Sequence, residues 1–257
     1  MVLGHSLLCD GRMWEDVAPR LAEHYRVINV DFRGHRNSTA PGEFSFDDLA
    51  ADWLAILDEL GIERAALCGL SMGGMTAFRF SLSYPERVAG IIGLDTNGDA
   101  ETRSNRIKYS IMAAIYRRFG MVNAIRGTTL KLMFAKTTLE QRPELGERFS
   151  ERVRQHDKQQ LSRAIRAVFS RPAYLPQLHS LRCPVLILIG EQDQATPMKW
   201  SRRLLRAIPG SAVHVIPRAG HLSAMEQPEL VAKEVLEFLP RCQWDGSVKE
   251  SSTRSAR

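Results

Sequence analysis

Short continuous apolar runs alternate along this chain with stretches whose apolar positions recur three and four residues apart. The runs at 1–5, 26–31, 65–68, 88–95, 185–189 and 212–216 predict strands. Trp14, Val17, Ala18 and Leu21 have helical spacing, as do Leu49, Trp53, Ile56, Leu57 and Leu60. Ser45 with Asp48 forms a capping box that starts the second of these helices, and Gly61 stops it. Helical patterns also follow Gly73, Pro197 and Pro228. Strands alternating with helices predict a mostly parallel sheet, because parallel neighbours need a long crossover and a helix supplies it.

Between 97 and 180 the rhythm changes. No strand pattern appears, while Ile107, Ile111, Met112, Ile115 and Phe119, then Leu161, Ile165, Val168 and Phe169, have helical spacing that helical packing accounts for. The expected organisation is an α/β core over 1–96 and 181–244 and a helical cap insertion over 97–180. A polar, serine-rich tail at 245–257 is expected to be disordered.

The strongest local signal is Gly69-Leu70-Ser71-Met72-Gly73. An apolar run enters it and a helical pattern leaves it, the strand–turn–helix setting of a G-x-S-x-G nucleophile elbow. The glycines answer a need for space, since a serine on so sharp a turn brings strand and helix into near contact. Two further loops carry chemistry at the carboxyl ends of predicted strands. Gly190-Glu191-Gln192-Asp193 supplies two acids, either of which could serve, and Ala219-Gly220-His221 supplies an imidazole. Parallel strands end on one side, so such loops converge on one crevice.

Composition narrows the field. At 257 residues, 44% hydrophobic, the chain can bury a full core. No apolar run approaches the length of a membrane span, and the N-terminus lacks a secretion signal. Cys9, Cys68, Cys183 and Cys242 are widely spaced, which suits reduced thiols in a cytoplasmic protein without a disulfide framework or metal site. Cys68 reads as a small buried hydrophobe. The net charge of +6 is uneven, with 16 Lys and Arg against 7 Asp and Glu over 97–180. Solvated helix faces account for this excess, and no nucleic-acid module accompanies it.

These motifs carry a resemblance. Gly69-Leu70-Ser71-Met72-Gly73-Gly74, Arg33-Gly34-His35, the stretch from Gly190 to Pro197, and Gly220-His221-Leu222 with Glu226-Gln227-Pro228-Glu229 resemble the α/β-hydrolase superfamily. Within it the chain is similar to small bacterial hydrolases around the 3-oxoadipate enol-lactonases, from residue 1 to about 240. The resemblance implies an α/β-hydrolase fold with Ser71 as nucleophile, Asp193, in preference to Glu191, as acid and His221 as base. It implies an oxyanion hole from the backbone N–H groups of Met72 and Leu7. No cofactor is implied. The expected activity is hydrolysis of an ester or lactone of a small, carboxylate-bearing substrate; acyl transfer, C–C bond hydrolysis and cofactor-free perhydrolysis use the same triad. A ligand-binding protein on this scaffold is the alternative of another class. The expected partner is a small molecule, with neither nucleic acid nor membrane.

Three departures from the family pattern stand out. His5-Ser6 replaces His-Gly ahead of Leu7, and Arg36 replaces the glycine after Arg33-Gly34-His35, its side chain expected in solvent. The two antiparallel strands that usually precede residue 1 are expected to be missing. That would leave the strand at 27–30 as an open edge, which suits a homodimer or a later recorded start. His5 and His35 read as loop-fixing residues and His214 as a structural one.

Overall fold

In the computed structural model, which describes residues 1–244, six parallel strands form one sheet. They are β1 (Val2–Gly4), β2 (Ile28–Val30), β3 (Ala65–Leu70), β4 (Val88–Leu94), β5 (Val185–Gly190) and β6 (Ala212–Ile216), in the order β2-β1-β3-β4-β5-β6. The helices are α1 (Ala18–Ala22), α2 (Phe46–Glu59), α3 (Met72–Ser83), α4 (Arg103–Phe119), α5 (Asn123–Met133), α6 (Lys136–Gln141), α7 (Pro143–Arg154), α8 (Lys158–Ser170), α9 (Met198–Ala207), α10 (Ser223–Glu226) and α11 (Pro228–Phe238). The order reverses direction beside β1, where the chain crosses from β2 past β1 to β3. That switch point, with the carboxyl ends of β1 and β3, is where an α/β sheet offers a crevice. Among the described residues no helix is long and apolar enough to cross a membrane. The tail at 245–257 lies outside the described residues.

Every residue of β3, β4 and β5 is buried, as their unbroken apolar sequences require. β2 and β6 lie at the two edges and are partly exposed, and β2 pairs with β1 alone. Ser45 caps α2 through the expected box, its hydroxyl accepting from the Asp47 and Asp48 N–H groups while Asp48 reaches back to the Ser45 N–H.

Two sequence expectations change. The helix expected through Trp14 and Leu21 is split into a 3-10 turn at Gly11–Trp14 and the short α1. Pro19 sits in the first turn of α1, where its missing N–H costs nothing, and Trp14, Val17 and Leu21 are still buried. The second change concerns α4. Helical packing is expected to account for most of the apolar positions of 97–180, yet Ile107, Ile111, Ile115 and Phe119 are exposed, Ile107 by 63% and Phe119 by 62%. The face that packs is the aromatic one. Tyr109 stacks on Phe169 of α8, and the buried Tyr116 donates its hydroxyl to the Val153 carbonyl at 3.1 Å.

Candidate active site

The approach of α3 to the sheet decides the geometry around Ser71. Gly4, Gly69 and Gly93 lie side by side in register across β1, β3 and β4. A Cβ on Gly69 would stand 2.2 Å from the Gly73 carbonyl carbon, and one on Gly73 would stand 2.2 Å from the Gly4 oxygen. Backbone fills that space, so neither glycine tolerates a side chain without the helix moving. Ser71 itself sits at φ 53°, ψ −108°, a region that L-residues avoid. Its backbone is held on both sides. The Ser71 N–H donates to the Leu94 carbonyl at 2.8 Å, and the Thr96 hydroxyl donates to the Ser71 carbonyl at 2.8 Å.

His221 is carried by the loop after β6 and Asp193 by the loop after β5, and both are buried. The two side chains meet: His221 Nδ1 lies 3.1 Å from Asp193 Oδ2 and 3.2 Å from Oδ1. Three other donors fix the carboxylate, namely the Ala195 N–H at 2.8 Å, the Thr196 N–H at 3.0 Å and the Thr196 hydroxyl at 2.6 Å. Burial alone would raise the Asp193 pKa, but His221 and the Thr196 donors hold it below the ordinary value. Burial pulls the His221 pKa down, yet the Asp193 carboxylate outweighs it and the imidazole is shifted upward. Nδ1 therefore carries the proton toward Asp193 and leaves Nε2 on the other side of the ring.

Ser71 and His221 line one cavity of about 260 Å³, together with Leu7, Met75, Thr196 and Trp200. Met72 is the first residue of α3, where N–H groups have no partner within the helix. Leu7 lies on the cavity wall beside Ser6. The structure thus brings Asp193, His221, Ser71 and Leu7 to one place, with Met72 next in chain. Glu191, the other acid of its loop, is exposed and accepts from the Arg218 N–H at 3.0 Å.

The remaining candidates have structural partners. His5 Nδ1 bonds the Ser6 carbonyl at 2.8 Å, and its Nε2 accepts from the Phe32 N–H at 2.9 Å. His35 packs edge-on against His5 and bonds the Arg33 carbonyl at 3.3 Å. His214 is exposed and pairs with Glu234 at 2.6 Å. Arg36 is largely exposed and lies 3.5 Å from Asp31. Cys68 is fully buried, and burial pushes its thiol pKa far up.

Two buried carboxylates escaped the sequence reading. Asp95 follows β4, accepts from the Gly190 N–H at 2.7 Å and bonds the Ser223 hydroxyl. Burial, reinforced by the charge of Asp193, raises its pKa well above the ordinary value. Asp95 stands at the carboxyl end of a strand, the same position that marks the acids after β5. Glu226, noted only within a motif, accepts from the Gly220 N–H at 2.8 Å, the Ala135 N–H at 2.9 Å and the Thr138 hydroxyl. It ties the His221 loop to the start of α6. Gly220 allows the close fit, since a Cβ there would lie 2.4 Å from the Ala135 nitrogen.

Comparison with known proteins bears on the fold and the family. A family model described as alpha/beta hydrolase fold matches residues 1–228. A 3-oxoadipate enol-lactonase of Acinetobacter baylyi is 30% identical, over 89% of this chain and 84% of that protein. A 2-hydroxy-6-oxononadienedioate/2-hydroxy-6-oxononatrienedioate hydrolase of Burkholderia vietnamiensis is 33% identical, over 84% of this chain and 77% of that protein. Among solved structures, a thermophilic esterase from Thermogutta terrifontis with malate bound superposes with a TM-score of 0.89 at 32% identity. That match covers 93% of this chain and 88% of the esterase.

Proposed function

The chain belongs to the alpha/beta hydrolase fold family, and on that premise we propose that it cleaves an ester or lactone of a small, carboxylate-bearing substrate through a Ser71 acyl-enzyme. The observation that carries this reading is the buried Asp193–His221 pair at the wall of the cavity that Ser71 enters from its strained turn. A serine hydroxyl is a weak nucleophile and needs a base beside it. His221 Nε2 takes the Ser71 proton as Oγ bonds the carbonyl carbon. Asp193 holds the ring's orientation and stabilises the imidazolium. The negative oxygen of the tetrahedral species is met by the N–H groups of Met72 and Leu7. His221 then returns the proton to the leaving alkoxide as the bond to it breaks. Water, deprotonated by the same imidazole, attacks the acyl carbon, and the acid leaves as the bond to Ser71 Oγ breaks and His221 hands Oγ the proton.

At about 260 Å³ the cavity is slightly smaller than the usual ligand site of about 300–1,000 Å³, so a compact substrate suits it. The helices between β4 and β5 contribute Asn105, Tyr109 and Val168 to its wall, and we read them as a cap. The names of the relatives, an enol-lactonase acting in 3-oxoadipate chemistry and a dioate hydrolase, and the malate of the esterase structure all involve carboxylated molecules. The Burkholderia vietnamiensis relative favours one second reading, hydrolysis of a carbon–carbon bond in a diketone by the same three residues.

The test is turnover of p-nitrophenyl butyrate by Ser71→Ala. The Ser71 side chain makes no capping bond to α3, so the variant is expected to keep the wild-type melting midpoint while losing activity. An unchanged rate would remove Ser71 from the mechanism.

A further inference from the structure

Arg171 stands where a chain leaving α8 enters the cavity wall, in the same cavity as Ser71 and His221. Its side chain is 1% exposed. A guanidinium buried that far needs its charge matched, because a buried cation without a partner is strongly disfavoured. Its hydrogen bonds go to two neutral acceptors. Nη1 donates to the Val168 carbonyl at 2.6 Å and Nη2 to the Asn97 side-chain oxygen at 2.7 Å. Nε is buried and has no hydrogen-bond partner among the described residues. The carboxylate that pairs with it, Glu101, stands 3.8 Å away, beyond hydrogen-bond reach. Glu101 also lines the cavity, and its other oxygen is engaged by the Asn105 amide at 3.0 Å.

We propose that Arg171 is the seat for the substrate's free carboxylate, and that Glu101 is a resident competitor which that carboxylate displaces. The proposal rests on the hydrolase reading above and names the residue that sets its specificity. Arg presents five donors in a fixed fork that suits a carboxylate's two oxygens, and only two of its nitrogens are engaged here. The alternative is a latch that merely ties α8 to the turn after β4. A latch alone gives Nε no acceptor and leaves Glu101 short of hydrogen-bond distance. Burial lowers the Arg171 pKa, and Glu101, Tyr174 and Asp99 only partly offset it, which agrees with room for a further anion.

The experiment compares monomethyl succinate with methyl pentanoate, esters alike in length and differing in charge. For the wild type, kcat/KM is expected to favour the succinate. In Arg171→Gln the ratio between the two esters should fall about 30-fold, mainly through KM, the scale of one charge-assisted contact. Glu101→Gln should move the ratio the other way, by about three-fold. Succinate itself, titrated calorimetrically into the wild type, should bind, and Arg171→Gln should weaken it at least ten-fold.

An unmoved ratio in Arg171→Gln, or an equal loss on both esters, leaves only a latch and overturns the proposal. If that variant does not fold, wild-type succinate binding and the Glu101→Gln ratio decide, and absence of either effect overturns it. The two readings fail separately. Turnover of both esters without charge preference sinks the Arg171 seat alone, whereas Arg171-dependent succinate binding with neither ester cleaved sinks the hydrolase reading and leaves the seat standing.

Discussion

The turns after β4 and β5 each hold a buried aspartate, and the two carboxylates shift in opposite directions. Asp193 receives four donors, one of them the His221 imidazole, and stays ionised below its ordinary range. Asp95 has two partners, feels the charge of Asp193, and is raised well above that range. A buried region cannot hold two like charges cheaply, so environment divides the roles. One carboxylate supplies charge to the imidazole. The other, its pKa raised, joins the Gly190 backbone to Ser223. Both stand at strand ends; the number and kind of donors separates them.

The largest effect that would sharpen this contrast is expected from Asp193→Asn. It removes the charge opposite His221 and offers the wrong partner to its ring, so kcat should fall by about 10⁴ in an ester assay. A loss under ten-fold would mean that the acid lies elsewhere. A third buried carboxylate gives an intermediate effect. Glu226→Ala leaves the Gly220 and Ala135 N–H groups and the Thr138 hydroxyl without their acceptor. Unfolding in urea should show a loss of at least about 2 kcal/mol, since each buried unpaired group costs about 1–3 kcal/mol. Stability unchanged in that variant would show that the tie between the His221 loop and α6 carries nothing.

The pH dependence follows from the upward shift of His221. As base the imidazole must be neutral, so the acid limb of kcat/KM should lie above the ordinary histidine value of about 6.5. The ion pair's contribution to stability has the opposite sense. It is full below about 6.5 and fades as pH rises through the raised folded value. An acid limb below 6 would contradict the Asp193–His221 coupling. The smallest effect belongs to Asp95→Asn, whose amide reproduces a protonated carboxyl toward Gly190 and Ser223. Activity should stay within about three-fold. With its pKa raised on folding, native Asp95 costs stability as pH climbs above about 3.9. The melting midpoint of the variant should therefore gain more at pH 8 than at pH 4, and a lower midpoint at pH 8 would show that Asp95 is ionised.

Much of the sheet was legible because its strands are buried on both sides, and such strands announce themselves as apolar runs. The runs at 88–95 and 185–189 match β4 and β5, both buried throughout, to within one residue. The elbow was legible for a related reason, since Gly69 and Gly73 face backbone and no other residue fits. Amphipathic spacing told less about α4. Periodicity identifies a helix but not which face finds a partner, and there the tyrosines pack while the isoleucines face water. Spacing also could not separate Glu191 from Asp193, because their difference lies in tertiary partners, Arg218 for one and His221 for the other. Asp95, Glu226 and Arg171 look in sequence like ordinary strand-end, helix and loop residues. Their burial appears only when distant segments meet.

The most direct measurement is the intact mass of the protein, and of its proteolytic fragments, after treatment with a fluorophosphonate. A single phosphonyl adduct on Ser71, absent in Ser71→Ala and slowed at least a hundred-fold in His221→Ala, is the expected result. Labelling at another residue, or equal labelling with His221 removed, would contradict the claim that Ser71 is a nucleophile activated by His221.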